Sequence, residues 1–584
     1  MKNVTDKLYT RTISAALALC AAFVMFLFVG KGEAQTPVAR HGLISTSGNQ
    51  VVNAQGQPVQ LRGMSLFWSH SRDARHFYNA ATVGHLRNDW GADVVRAAMA
   101  VNLNWSNDEV SYLGGGHNPQ HGSDSAGNWN RVTTVIEAAK AQGMYVIVDW
   151  HAYYQHTNGQ SNTLPPAQRA VNFFVALSNK YPQADNPHII WEIFNEPVGT
   201  HHAENGGADA TAFWNNSIRP WANTVARAIR ANGDDRLIIV GTPFFCQAPD
   251  IAAANPLRMS DAADAPLIPH VAYSAHFYAG STGSGVDDHN IGLQRRIIRT
   301  MSVYNLPVFI SECGTVRADG AGQHDGPRST LWMEFLEQYK IGWAAWSLSS
   351  MNQGSAALVG NAQALATQNT PWADNQLSES GRFFRNELRR TEPRTRRFAS
   401  VRLVLEGQGT IASTPPSLIV AGQDNITATV RLVSPDYPFI GWSISNGASG
   451  TGTPVQGQPI PTFRVDIPTT TAMITPGGVA DGGEIVVTLR FAGETSVSHH
   501  ASLNSTRWDL RRTSSGVSIA GPAGTSANAV FYNISGRAVH KQSVTGGTQM
   551  LIGRGVVPAG NYIVVLRDKS SGRELHRSQV SLVN

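Results

Sequence analysis

Residues 189–197 read Ile189-Ile190-Trp191-Glu192-Ile193-Phe194-Asn195-Glu196-Pro197, an apolar run that ends in an amide, a carboxylate and a proline. A run of this length is a strand buried on both faces, as in a parallel sheet, and polar residues at its end belong to a loop face rather than to a core. Working outward, seven further short apolar runs occupy residues 61–65, 94–99, 145–151, 237–242, 271–278, 308–313 and 343–348. Their starts lie about 40 residues apart, room for a strand, a helix and two loops, which is the repeat of a (β/α)8 barrel. The intervening segments agree: Val132, Val135, Ile136 and Ala139 keep the i, i+3, i+4, i+7 spacing of an amphipathic helix that Gly143 stops. The fold class expected is α/β, a (β/α)8 TIM barrel over residues 40–391.

The chain is 584 residues long, more than one core organises, and further domains are expected. Only 15% of residues are charged, while 55 Gly and 29 Pro punctuate loops, which excludes a coiled coil or a charged disordered chain. The net charge of +5 is small for this length and concentrates between Arg382 and Arg402, so nucleic acid is not an implied partner. That arginine run reads as a solvated boundary, with contact to an anionic surface as the alternative. Beyond it the helical period gives way to short alternating strands, expected as two small all-β domains at 400–492 and 496–584. Residues 1–34 read as a signal peptide, with Lys2, Lys7 and Arg11 ahead of an apolar run that ends in Gly32-Glu33-Ala34; an uncleaved anchor is the alternative. The protein is therefore expected to be secreted or at the cell surface, and monomeric. With three cysteines and no CxxC pair, Cys246 and Cys313 are expected as free buried thiols rather than a disulfide.

Catalytic groups of a barrel belong at the C-terminal ends of its strands. Those ends carry Arg96, Asp149-Trp150-His151, Asn195-Glu196-Pro197, His276-Phe277-Tyr278, Glu312 and Trp346. Glu196 and Glu312 close strands four and seven, which face one another across the mouth. Cleavage of a glycosidic bond needs a proton donor and a second carboxylate, and Arg96, Tyr278 and His276 are the groups available to hold the second one ionised. His201, His202 and Glu204 invite a metal reading, but adjacent histidines point apart and Asn205-Gly206-Gly207 follows; no metal and no cofactor are expected.

The stretches Val94-Val95-Arg96-Ala97-Ala98-Met99, Val146-Ile147-Val148-Asp149-Trp150-His151, Trp191 to Pro197, Ala275-His276-Phe277-Tyr278, Phe309-Ile310-Ser311-Glu312 and Trp346-Ser347-Leu348 occur in the order found in glycoside hydrolase family 5. The chain from about residue 41 to 390 resembles that family, in particular its bacterial endo-β-1,4-glucanases. The resemblance implies Glu196 as acid/base, Glu312 as nucleophile, Asn195 as a donor to the sugar 2-hydroxyl and Trp346 as a stacking platform, with Arg96, His151, His276 and Tyr278 around the same sugar. Trp68 is a further platform candidate in a first loop shorter than is common in the family. Phe244-Phe245-Cys246 and Cys313 stand where tryptophans are frequent, and Met351 where many relatives carry a lysine, which leaves the polymer open: cellulose, or mannan, xyloglucan or mixed-linkage glucan, or binding without turnover. The first β module resembles an internalin-type B-repeat and the last a type IX-like C-terminal sorting domain, which would make export machinery or the cell surface a partner alongside a β-glucan.

Overall fold

The computed structural model describes residues 35–582 except 116–118, 153–163, 165, 198–207, 263, 282–288, 395–397, 408, 414–417, 421–424, 433–437, 445–448, 459, 469–483, 493–508, 514–515, 522–524, 534–537, 546–548, 554–559 and 570–573. The export-signal reading of residues 1–34 and the His201, His202, Glu204 group lie outside the described residues. Among the described residues no helix is long and apolar enough to cross a membrane.

Eight parallel strands, β1 (Arg62–Leu66), β2 (Val94–Ala100), β3 (Tyr145–His151), β4 (Ile189–Glu192), β5 (Ile238–Val240), β6 (Val271–Tyr278), β7 (Val308–Gly314) and β8 (Trp343–Leu348), close into a barrel in sequence order. Helices α1 (Ala80–Asn88), α2 (Ser125–Ala141), α3 (Ala167–Lys180), α4 (Arg219–Ala231), α5 (Pro249–Ala254), α6 (His289–Ser302), α7 (Gly326–Gln338) and α8 (Glu379–Arg389) lie among the connections. Several begin on side-chain caps that satisfy otherwise orphaned backbone N–H groups: Asn79 accepts from Thr82, Asp124 from Gly127, Asp325 from Arg328 and Ser378 from Gly381. Helix α2 buries the predicted Val132, Val135, Ile136 and Ala139. Gly143 follows it at φ +60°, where a Cβ would also fall 2.4 Å from the Thr36 hydroxyl oxygen.

Two apolar clusters divide the barrel. Val95, Ala97, Val146, Val148, Trp191, Ile238, Tyr273 and Ile310 join the cluster that includes the helices, whereas Val94, Tyr145, Ile147, Ile190, Ile239, Ala272 and Phe309 form a separate one with Ile44, Val51, Val59 and Leu61. The second cluster is the barrel floor, and a hairpin of residues Ser45–Ser47 and Gln50–Val52 contributes Val51 to it. A packed floor leaves the opposite end of the strands as the place for polar groups.

Strand β4 ends at Glu192, so Glu196 does not close the strand as the sequence reading expected but stands four residues further along in irregular chain. The arginine run is corrected in part: Arg382 and Arg389 are exposed, whereas the side chains of Arg385 and Arg394 are buried. Arg385 pairs with Asp374, Arg394 with Glu387, and Arg382 donates to the Leu377 carbonyl at 2.7 Å, which braces the last helix against its flanking chain, while Arg389, 2.5 Å from Asp89, ties it to the end of α1.

The β segments form two units. Strands β9 (Phe398–Glu406), β10 (Gly409–Ser413), β11 (Leu418–Val420), β12 (Asn425–Leu432), β13 (Phe439–Ile444), β14 (Ser449–Gly450), β15 (Thr453–Pro454), β16 (Thr462–Pro468) and β17 (Glu484–Phe491) make sheets β11-β9-β17-β13-β14 and β10-β12-β16-β15 around their own apolar core. The first strand meets the barrel directly. Gln338 accepts from the Phe398 N–H at 3.1 Å and donates to its carbonyl at 2.6 Å, and the Phe398 ring lies 5.2 Å from Phe335. The last unit has β18 (Asp509–Thr513), β19 (Gly516–Ala520), β20 (Ser526–Asn533), β21 (Ala538–Thr545), β22 (Gln549–Gly553), β23 (Gly560–Asp568) and β24 (Glu574–Leu582) in sheets β18-β19-β22 and β21-β20-β23-β24.

Candidate active site

Successive inward residues of β2 climb from Val94 in the floor, through Arg96, to Ala98 and Ala100 at the mouth. Arg96 is fully buried and organises everything around it. Its guanidinium donates to Glu192 twice, at 2.7 and 3.1 Å, to Glu312 Oε2 at 2.9 Å and to Asn195 Oδ1 at 2.6 Å, and it lies 2.8 Å from Asp149. A buried cation so surrounded stays charged, and the three carboxylates push its pKa well up against the opposing cost of burial.

Strict alternation would send Ser311 and Glu312 to opposite faces of β7. Ile310 and Cys313 both pack into the cluster outside the barrel, and the register of β7 shifts against both neighbours between them, so both intervening side chains turn inward. Glu312 then receives Arg96 on Oε2 and the Tyr278 hydroxyl on Oε1 at 2.6 Å. Burial and the adjacent Glu312 raise Tyr278 well above the usual phenol range, so it remains a donor.

Glu196 sits in a different environment. His276 Nδ1 lies 2.8 Å from Glu196 Oε1, and the carboxyl side chain keeps 15% exposure. Burial pushes Glu196 up to about 8 against the pull of Arg96, and burial pushes His276 down to about 4. At neutral pH Glu196 therefore carries a proton beside a neutral imidazole. The Arg96 site also includes His151, whose Nδ1 lies 2.6 Å from Asp149 Oδ2, and burial drives Asp149 up to about 8.

Aromatic rings line the mouth. Trp346 stacks on His151 with centroids 5.3 Å apart, and Trp68 meets His151 at 4.6 Å and the half-buried Trp105 at 5.0 Å. Only 6% of Trp68 and 7% of Trp346 stay exposed, so each is more wall than open platform. After β5, Phe244, Phe245 and Cys246 all adopt left-handed backbone, at φ 59°, 53° and 59°. Such a run is held only by its surroundings, here the Cys246 thiol donating to the Asn195 carbonyl at 3.0 Å, and it leaves Phe244 and Phe245 half-buried beside that segment. Cys246 and Cys313 are both buried and free.

The structure thus brings Arg96, His151, Asn195, Glu196, His276, Tyr278, Glu312 and Trp346 to one barrel end, with Trp68 beside them. Sequence reasoning passed over Glu192, Trp105 and the roles of Asp149 and Ser311. Glu192 was findable, since it is two residues from the floor residue Ile190, and a carboxylate at that inward position needs a buried cation. Glu196, His276 and Glu312 each offer a metal-ligating atom, all within 4.8 Å of one another. Both ring nitrogens of His276 and both Glu312 oxygens are already hydrogen-bonded within the protein.

Two carboxyl groups at this separation, one held by a cation and a phenol and the other protonated at the rim of a barrel mouth, define a glycoside hydrolase. Residues 52–352 match the profile of the cellulase family (glycosyl hydrolase family 5), and the chain belongs to that family. An endoglucanase of Clostridium saccharobutylicum is 31% identical over 65% of this chain and 72% of its own length. Endoglucanase N of Pectobacterium atrosepticum is 34% identical over 61% of this chain and 67% of its own. The chain spans 61% of endoglucanase Z of Dickeya dadantii, at 32% identity over 54% of this chain. The solved catalytic domain of a Thermobifida fusca endoglucanase is 28% identical, covering 61% of this chain and all of that domain, with a TM-score of 0.47.

Proposed function

We propose that this glycoside hydrolase is an endo-β-1,4-glucanase that cleaves β-glucan chains with retention of anomeric configuration. Glu312, held by Arg96 and Tyr278, attacks the anomeric carbon while Glu196 gives its proton to the departing glycosidic oxygen, and the bond from Glu312 to carbon replaces the one that breaks. Glu196, now a carboxylate, takes a proton from water, whose oxygen displaces Glu312 from the sugar. The observation that carries this reading is the separation: ligand atoms of the two carboxyl groups lie within 4.8 Å, close to the roughly 5–5.5 Å of retaining pairs and short of the roughly 6.5–9.5 Å that leaves room for an attacking water. Asn195, fixed by Arg96 at 2.6 Å, is the donor to the sugar 2-hydroxyl, and Trp346 and Trp68, both packed against His151, form the apolar wall of the same subsite. The test is the product anomer, followed by NMR during hydrolysis of cellotetraose and of cellulose, mannan, xyloglucan and mixed-linkage glucan. β-Anomer appears first and cellulose or mixed-linkage glucan is cut fastest; initial α-anomer refutes retention, and faster cutting of mannan reassigns the polymer. The placement of Glu312 against Arg96 and Tyr278, with a protonated Glu196 opposite, speaks against a barrel that only binds.

The chain is read as exported, on the strength of Lys2, Lys7 and Arg11 ahead of the apolar run. The B-repeat-like first module spaces the barrel, and the last module, a two-sheet unit with its own core, serves attachment or sorting. Deleting residues 496–584 moves the protein to a different cell fraction and leaves the specific activity of the purified remainder unchanged; unchanged export contradicts the sorting role.

A further inference from the structure

The inward turn of Ser311 beside Glu312 has no place in the double displacement itself, yet it completes a chain of buried polar groups. Ser274 Oγ lies 2.7 Å from Ser311 Oγ, Ser311 Oγ lies 3.0 Å from His276 Nε2, and His276 Nδ1 lies 2.8 Å from Glu196 Oε1. A hydroxyl both donates and accepts, so the chain runs in either of two directions, and the direction decides where the proton of Glu196 sits. If Ser274 donates to Ser311 and Ser311 to Nε2, then Nδ1 carries the imidazole proton and donates to Oε1. The carboxyl proton of Glu196 must then sit on Oε2, the oxygen that His276 does not engage. In the reverse direction Glu196 donates its proton to Nδ1, and that proton is aimed into the protein.

The far end of the chain selects between the two. Beyond Ser274 lies the Cys246 thiol, which already donates to the Asn195 carbonyl at 3.0 Å. In the reverse direction the Ser274 hydroxyl would have to donate to sulfur, a weak acceptor, whereas in the forward direction each serine hydroxyl and the ring N–H donates to an oxygen or nitrogen. We infer that Ser311 is a positioning residue that, with Ser274, holds His276 in the Nδ1–H tautomer and so keeps the acid proton of Glu196 on the oxygen available to the leaving group. The inference rests on Glu196 being the acid/base.

The charged and titratable groups facing His276 are Glu196, Glu312, Arg96, Glu192 and His151, and those facing Glu196 are His276, Arg96, Glu192, Asp149, Tyr278 and Cys246; all remain in place when Ser311 is altered. The experiment compares the full-length parent with Ser311→Ala, Ser311→Thr and Glu196→Gln on cellotetraose, whose leaving group needs a proton, and on 2,4-dinitrophenyl β-cellobioside, whose leaving group does not. Ser311→Ala loses about tenfold in kcat/KM on cellotetraose and less than about twofold on the dinitrophenyl substrate, and Ser311→Thr recovers most of the loss. Its alkaline limb moves to higher pH although its rate falls, because a donor to the Glu196 carboxylate has been lost. Selective 15N-histidine labelling, with the His276 signals assigned by their disappearance in His276→Gln, shows a protonated Nδ1 and an unprotonated Nε2 in the parent. An Nε2–H tautomer in the parent, or equal losses on both substrates in Ser311→Ala, overturns the inference. If Glu196→Gln itself loses equally on both substrates, the acid/base reading fails instead.

Discussion

The floor and the mouth of the barrel are built by the same strands a few residues apart, yet they are opposites. Inward positions low in the strands hold Val94, Ile147, Ile190 and Phe309, while the next inward positions of the same strands hold Arg96, Asp149, Glu192 and Ser311. The floor is stabilised by apolar burial, which needs no particular partner. The mouth buries one guanidinium among three carboxylates, an arrangement that costs desolvation and persists because every charge has a partner. The difference shows where the strands spend stability on chemistry: about two residues above the floor.

Substitutions at the two ends should therefore differ in kind. The largest effect is expected at the mouth, where Glu312→Gln lowers kcat on soluble cellulose by about ten-thousandfold and Glu196→Gln by about a thousandfold, both with the fold intact by circular dichroism. Activity within tenfold of the parent in either variant would break the comparison. Arg96→Met leaves Asp149, Glu192 and Glu312 buried without their cation and costs about 3–5 kcal/mol of stability along with activity, read by denaturant unfolding of the purified protein. Ile147→Ala in the floor costs about 2–4 kcal/mol through the cavity it leaves, while kcat/KM stays within about twofold when assayed below the transition. A floor variant that altered kcat/KM as strongly as stability would mean that the two ends are not separable.

The smallest effect is set by pH. Glu196 acts as an acid only while it holds its proton, and burial raises it to about 8, so kcat/KM declines as pH rises through about 8. His276, down at about 4, stays neutral across that range and contributes no second alkaline step. An alkaline limb near the ordinary carboxylate range would show that Glu196 is not held in the environment described.

The eight strands and their polar ends were legible because burial periodicity and spacing are local properties of a sequence. The shortfalls are long-range. Nothing in Phe309-Ile310-Ser311-Glu312-Cys313 announces that the register of β7 shifts so that Ser311 and Glu312 both face inward, since a bulge is fixed by two neighbouring strands and not by the strand that carries it. Glu192 escaped notice because its partner, Arg96, is two strands away. Arg389 read as solvated because its partner, Asp89, lies 300 positions earlier. Three successive left-handed residues at 244–246 carry no glycine to mark them, and their contacts, Phe245 N–H to the Pro197 carbonyl and the Cys246 thiol to the Asn195 carbonyl, come from another strand's loop.

The account stands most directly on the covalent step at Glu312. Incubation of the protein with a 2-deoxy-2-fluoro-β-cellobioside bearing a dinitrophenyl leaving group, followed by intact mass measurement and peptide mapping, reads that step. The expected result is one added fluorocellobiosyl group per chain, carried on Glu312 and released slowly by water. A label on another carboxylate, or turnover with no covalent adduct, would contradict it.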